Sequence, residues 1–410
     1  MSQTFSTFPL PIPFWPLRQP REVPRSSSPR RCAGAGEVND TRVKGETSMT
    51  LSKRLGHALA ITALMVVGAE GTLAQTLPLV SIPPINDLPN PYRSVDGWAE
   101  LPDGREWGST AGVDIDPDGV HLWAIDRCGG NNCADSDDDP ILKFDAQGNV
   151  VASLGGGLLI FPHGLHVDRD GNVWVTDAQG PNPANPNTAG KGHVVIKFSP
   201  QGEVLLTLGT LGVAGDGTDE LLNTPCDVVT DADGNIYVGD GHSGQNANAG
   251  PETVARIAKF DRAGRFLGSW GKWGGGAGEM RTPHAVDIDS RGRLIVGDRG
   301  NNRLQIFELD GTYIGELKQF GRPSGIYIAD NDIIYVADSE SEFDQVRNPG
   351  WKPGIRFGSL SDGLAVGFID GAVDAYPNGS NPEGVAVDAA GNVYGAVVSG
   401  GGALVRSSRR

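Results

Sequence analysis

Short apolar runs that alternate with polar residues recur from about residue 98 onward, each of β-strand rather than helix length. The most regular is the octet FPHGLHVD at 161–168. Its outline returns as STAGVDID from Ser109, TPCDVVTD from Thr224, TPHAVDID from Thr282, RPSGIYIA from Arg322 and NPEGVAVD from Asn381. A turn and a second strand follow each octet: DGVHLWAID to Asp126, DGNVWVTD to Asp177, DGNIYVGD to Asp240, RGRLIVGD to Asp298, NDIIYVAD to Asp338 and AGNVYGAV to Val397. Asp-Gly and Gly-Asn between such runs tolerate positive φ and mark hairpins. Third and fourth strands come next, as in ILKFDAQGNVVASLG and RIAKFDRAGRFLGSWG. Four antiparallel strands per repeat, arranged radially, predict an all-β, six-bladed β-propeller over 98–410, with roughly 50 residues per blade. The last blade is short at its C-terminal end. WAELPDGREWG at 98–108 is therefore expected to supply its outer strand and close the ring from the N-terminal side.

Ahead of the repeats the pattern changes. Residues 1–48 are rich in Pro and Arg and show no strand or helix period, so they read as a disordered or non-native leader. Residues 49–74 read as a signal peptide: Lys53 and Arg54, a mostly apolar Leu55 to Val67, then small residues at Thr72-Leu73-Ala74. The apolar run is shorter than the roughly 20 residues that span a bilayer, so no lasting membrane insertion is expected. Residues 75–97 form a Pro-rich arm suited to an extended tether. The expectation is an exported protein, periplasmic or extracellular, and a monomer.

Export changes how the cysteines read. Cys128 and Cys133 in DRCGGNNCADSDDDP are expected to form a short-loop disulfide. Cys226 is left unpaired, as core filler beside the axis. The chain's 59 Gly, 28 Pro and 20% charged residues fit the all-β reading. A formal net charge of −16 with no basic stripe argues against nucleic acid as a partner.

The third octet position reads Ala111, His163, Cys226, His284, Ser324 and Glu383 in chain order. In a closed ring, His163, His284 and Glu383 stand on alternate blades, a third of a turn apart, and can converge on the axis. Two imidazoles and a carboxylate suit zinc, with a position left for water or substrate, and suit Fe(II) equally. The plainer alternative has the histidines hydrogen-bonding across a wet channel and Glu383 paired to an arginine. Two corners after second strands read Asp126-Arg127 and Asp298-Arg299. The arginines can clamp a substrate carboxylate, pair with their neighbouring aspartates, or do both, since the two roles are compatible. A third corner, Asp240-Gly241-His242, offers a proton acceptor or a surface histidine. His121 and His166 fall in strand interiors by the alternation and read as structural, while His193 opens a strand beside an insertion.

The octets PHGLHVD and PHAVDID, together with DGH and GDRGNNR, resemble NHL-type repeats and, more closely, the peptidyl-α-hydroxyglycine α-amidating lyase family and its bacterial relatives. The resemblance implies a six-bladed propeller with an axial zinc on three histidines, of which His163 and His284 carry over and Glu383 takes the third place. Arg127 and Arg299 carry over as the substrate-side arginines. His242 stands where the family has its catalytic tyrosine. The family's structural calcium uses an Asp after the third His; here that residue is Gly384, so the calcium is doubtful. The implied activity is metal-dependent C–N bond cleavage in a peptide or small molecule bearing a carboxylate, giving an amide and glyoxylate. Two rivals remain on the residues alone: a metal-dependent ester or lactone hydrolase, and a non-catalytic NHL-repeat binding propeller.

Overall fold

The computed structural model describes residues 82–410, apart from 96, 103, 342–347, 372–380 and 399–402. The expected leader and signal peptide, 1–74, lie outside the described residues. What is described is nearly all-β: six four-stranded antiparallel sheets. Each sheet is a blade, and neighbouring blades pack through their innermost strands, Val113–Ile115, Pro162–Val167, Pro225–Thr230, Pro283–Ile288, Gly325–Ile328 and Pro382–Val387. No helix among these residues is long and apolar enough to cross a membrane.

Second strands such as Leu122–Ile125 and Val173–Asp177 are buried throughout, because blades cover both of their faces. Apolar side chains meet between blades in several clusters, as where Trp123 and Ile141 of blade one pack with Val173 and Phe198 of blade two. The aspartates that end the second strands are buried too. Asp177 accepts backbone N–H bonds from Ile160 (2.9 Å) and Phe161 (2.7 Å), and Asp298 accepts one from Arg281 (2.9 Å). They tie down the chain where the octets begin.

The octet proline opens the innermost strand, where a missing N–H is tolerated. Directly after it the pairing slips. Register shifts fall between Pro162 and Leu165, Pro225 and Asp227, Pro283 and Ala285, and Pro382 and Gly384. These β-bulges leave His163, Cys226, His284 and Glu383 out of the ladder, and a bulge re-aims the side chain it carries.

The ring closes from the N-terminal side, as expected, but with a different segment. The fourth strand of the last blade is Tyr92–Val95, which pairs antiparallel with Ala403–Arg409. Tyr92 is buried edge-on against Phe357, with its ring centroid 5.7 Å away, so this strand carries an apolar anchor. The 98–108 segment instead packs Trp98 against Phe144 and Tyr394 and pairs with blade one as an isolated bridge, Glu100 with Asn149. Pro102 and Gly104 interrupt any strand there. The arm before Tyr92 is held as well: Arg356 donates to Ile85 O (3.0 Å) and Asn86 Oδ1 (2.9 Å).

Candidate metal centre and substrate mouth

His163, His242, His284 and Glu383 meet on the propeller axis, each offering one ligand atom, and these atoms all lie within 4.8 Å of one another. His163, His284 and Glu383 come from bulges on alternate blades, as the octet register implies. His242 reaches them from the blade-three corner. Gly241 makes that corner: its φ is 137°, and a Cβ there would lie 2.2 Å from Val254 O. The following short 3-10 turn, His242–Gln245, sets the imidazole ring 4.5 Å from that of His163 and 5.3 Å from that of His284.

The tautomers follow from the hydrogen bonds. His163 Nδ1 lies 2.8 Å from Cys226 O and His284 Nδ1 lies 2.6 Å from Ser324 O. A carbonyl only accepts, so each Nδ1 carries the proton and each neutral Nε2 keeps a lone pair. Both Nε2 atoms lie 3.3 Å from the same oxygen, Glu383 Oε1. Neither has a hydrogen-bond partner among the described residues. Burial lowers the basicity of all three histidines, that of His284 to about 4. Burial also opposes the charge on Glu383, but the groups around it, the Arg299 guanidinium among them, hold its carboxyl well below the usual range.

Ionised Glu383 and two unprotonated nitrogens thus face one another as acceptors. A cation among them resolves that conflict, and the two-nitrogen, one-oxygen donor set, with His242 beside it, suits zinc or another divalent metal such as iron. The adjoining cavity, lined by His163, His284 and Glu383 among others, holds about 40 Å³, room for water-sized groups only. The residues present therefore fit a metal.

Ser339 fixes the carboxylate. Its hydroxyl donates to Glu383 Oε2 at 2.9 Å and lies 2.8 Å from Ser324 Oγ.

Arg127 and Arg299 both border this centre, and both are almost fully buried, at 3% and 1% exposure. Neither pairs with its neighbouring aspartate. Asp126 pairs with Arg105 at 2.8 Å and Asp298 with Arg303 at 3.0 Å, so that alternative fails. Arg127 lies flat on Phe161, 3.5 Å from the ring centroid, and donates to Pro162 O and Asn131 Oδ1, each at 3.0 Å. Asn131 belongs to the loop closed by the Cys128–Cys133 disulfide, which is present. Cys226 is free and buried, and burial raises its thiol pKa well above the ordinary value.

The other histidines lie elsewhere. His121 pairs with Asp118 in a hairpin turn, His166 bonds Thr230, and His193 accepts from the Thr224 N–H. Sequence reasoning missed Phe161, Gln245, Arg322, Ser339 and Glu340. A signal for two of them existed, since Ser339-Glu340 follows Asp338 at the same corner that yields Arg127, His242 and Arg299 on other blades.

Fold and site together define a class: a six-bladed β-propeller carrying an NHL repeat, the repeat profile matching residues 280–307. Its relatives include peptidylglycine-amidating enzymes and NHL repeat-containing protein 3 of Mus musculus, to which it is 34% identical over 38% of its own length and 41% of the relative's. The chain is 24% identical to peptidyl-glycine alpha-amidating monooxygenase A of Xenopus laevis, over 94% of its own length and 46% of the relative's. It is 30% identical to peptidyl-alpha-hydroxyglycine alpha-amidating lyase 1 of Drosophila melanogaster, over 41% of its own length and 29% of the relative's. The chain thus spans less than half the length of these curated relatives. The solved structure of a gluconolactonase from Xanthomonas campestris shares the fold, with a TM-score of 0.50 at 15% identity, covering 80% of this chain and 99% of that one.

Proposed function

We propose that the chain is an exported, metal-dependent lyase that cleaves the C–N bond of a carboxylate-bearing, α-hydroxyglycine-like substrate, giving an amide and glyoxylate. The observation that carries this reading is the convergence of two Nε2 lone pairs and the Glu383 carboxylate beneath two buried arginines. His163, His284 and Glu383 would hold the ion. A divalent cation there supplies Lewis acidity toward the substrate hydroxyl.

The chain's own residues do the rest. A guanidinium at the mouth holds the terminal carboxylate and fixes the glycine carbon over the axis. His242 is neutral at working pH, because burial and the Arg299 guanidinium hold its basicity down, and it accepts the hydroxyl proton. As the C=O of glyoxylate forms, the C–N electron pair leaves on nitrogen, and protonated His242 returns the proton there. No water is consumed. Phe161 packs against Arg127, His163 and His242 and so holds the guanidinium and the two imidazoles in place. The disulfide supports an oxidising location.

The test is incubation with a peptide ending in α-hydroxyglycine, with glyoxylate as the readout. Stoichiometric glyoxylate and peptide amide, abolished by chelator and restored by divalent metal, support the lyase. Chelator-sensitive cleavage of simple esters or lactones without glyoxylate release would replace it with a hydrolase. A chain that purifies free of metal and takes none up would point instead to a binding propeller.

A further inference from the structure

The two mouth arginines differ in what surrounds them. Arg127 has no carboxylate within ion-pair distance among the described residues, and its Nη2 is buried without a hydrogen-bond partner. Arg299 faces two carboxylates: its Nη1 is 3.5 Å from Glu340 Oε1 and 3.6 Å from Glu383 Oε1. Its Nη2 donates to Gln245 Oε1. Glu340 cannot swing aside freely, because Arg322 grips its other oxygen. Arg322 Nε and Nη2 each lie 3.0 Å from Glu340 Oε2, and Arg322 Nη1 donates to Arg299 O at 2.8 Å. Glu340 Oε1 is left facing Arg299 across the mouth, with 32% of the side chain open to solvent.

We propose that Glu340 determines specificity at this mouth by occupying the Arg299 side, so that a ligand carboxylate is taken by Arg127 alone. Glu340 Oε1 then accepts a hydrogen bond from a neutral donor, an amide N–H or hydroxyl, on the same ligand. The favoured ligand class is a monoanion that carries such a donor a few bonds from its carboxylate. A dianion is rejected, because its second carboxylate meets an ionised glutamate in a poorly solvated mouth, where like charges repel strongly. This assignment rests on the reading above that the mouth takes a carboxylate.

Fumarate and its monoamide are matched probes, equal in size and differing only in whether the second group is a carboxylate or an amide. Their affinities for the metal-loaded wild type, Glu340→Gln and Arg127→Gln are measured by calorimetric titration, with metal content and unfolding temperature as folding controls. Wild type is expected to prefer the monoamide. Glu340→Gln should shift the preference at least ~10-fold toward fumarate, because the repulsive charge is gone. Arg127→Gln should weaken the monoamide at least ~10-fold by removing its sole carboxylate partner. An unchanged preference in Glu340→Gln, or undiminished monoamide binding in Arg127→Gln, overturns the proposal and leaves the carboxylate mouth intact. If wild type binds neither probe, the carboxylate reading itself falls, and this assignment with it.

Discussion

Glu383 takes a place where two alternate blades present histidine, and a carboxylate there needs more support than an imidazole does. Its chain is longer and more mobile, and either oxygen can turn toward the axis. The Ser324–Ser339 hydroxyl pair removes that freedom by binding Oε2, which leaves Oε1 equidistant from the two imidazoles. Ser339→Ala is therefore expected to lower metal affinity by roughly 10- to 100-fold, the usual scale for losing a group that orients a ligand. Chelator competition measures it; an unchanged affinity would mean that Glu383 needs no such support. His163→Ala removes a ligand outright, and elemental analysis after dialysis should fall from one ion per chain in wild type to a small fraction of that. The ligands could be read in sequence because a bulged position recurs in register with metal-binding residue types, whereas Ser339 and Glu340 recur only in position, after Asp338, and share no residue type with the corners that carry Arg127 and Arg299. Phe161 was hidden for a different reason: an apolar residue before an octet proline looks like any other core position.

At the scale of elements, the repeating octets and hairpins declared themselves through period-two alternation and turn residues, and the six blades follow from counting them. The closing strand did not declare itself. Tyr92–Val95 is YRSV, four residues in a Pro-rich arm, and its burial pattern comes from a partner strand more than 300 positions away. The 98–108 segment offered two tryptophans and looked the better strand, yet those rings pack between blades one and six rather than along an edge. Tyr92 is 1% exposed and packs on Phe357 in the neighbouring blade, with its hydroxyl 3.4 Å from that of Tyr335. Tyr92→Ala leaves a ring-sized cavity where the circle is sealed. It is expected to cost about 3 to 5 kcal/mol, as for other large buried aromatics, read from denaturant unfolding. A cost below about 1 kcal/mol would show that the seal depends on backbone pairing alone.

Across the whole molecule the axial channel has two unlike ends. The metal-side mouth carries Arg127, Arg299 and Arg322, while the opposite end is a cavity of about 310 Å³ lined by Asp114, His166, Asp227 and Asp287, among others. Asp227 accepts the Val286 N–H at 2.9 Å, and Asp287 accepts the Ile328 N–H at 2.7 Å, so each carboxyl bridges to the next innermost strand. Burial pushes both up to about 7, with Asp114 adding repulsion. The unfolded chain ionises such groups near ~4. Between those values the folded protein binds more protons than the unfolded one, so stability falls as pH rises from about 4 to about 7 and levels off above. Carboxylates across a chain of net charge −16 repel one another more as they ionise, which slopes the same way, so wild type alone cannot separate the two causes. Asp287→Asn separates them. The amide loses one of the two backbone bonds that Asp287 accepts, from Ile288 and Ile328, a penalty that does not vary with pH. Its stability relative to wild type should nevertheless climb steadily across pH 4 to 7 and then hold constant, as followed by unfolding at fixed ionic strength. A difference that is flat over that window would mean that Asp287 is already ionised in the folded channel and that the slope belongs to the surface charge.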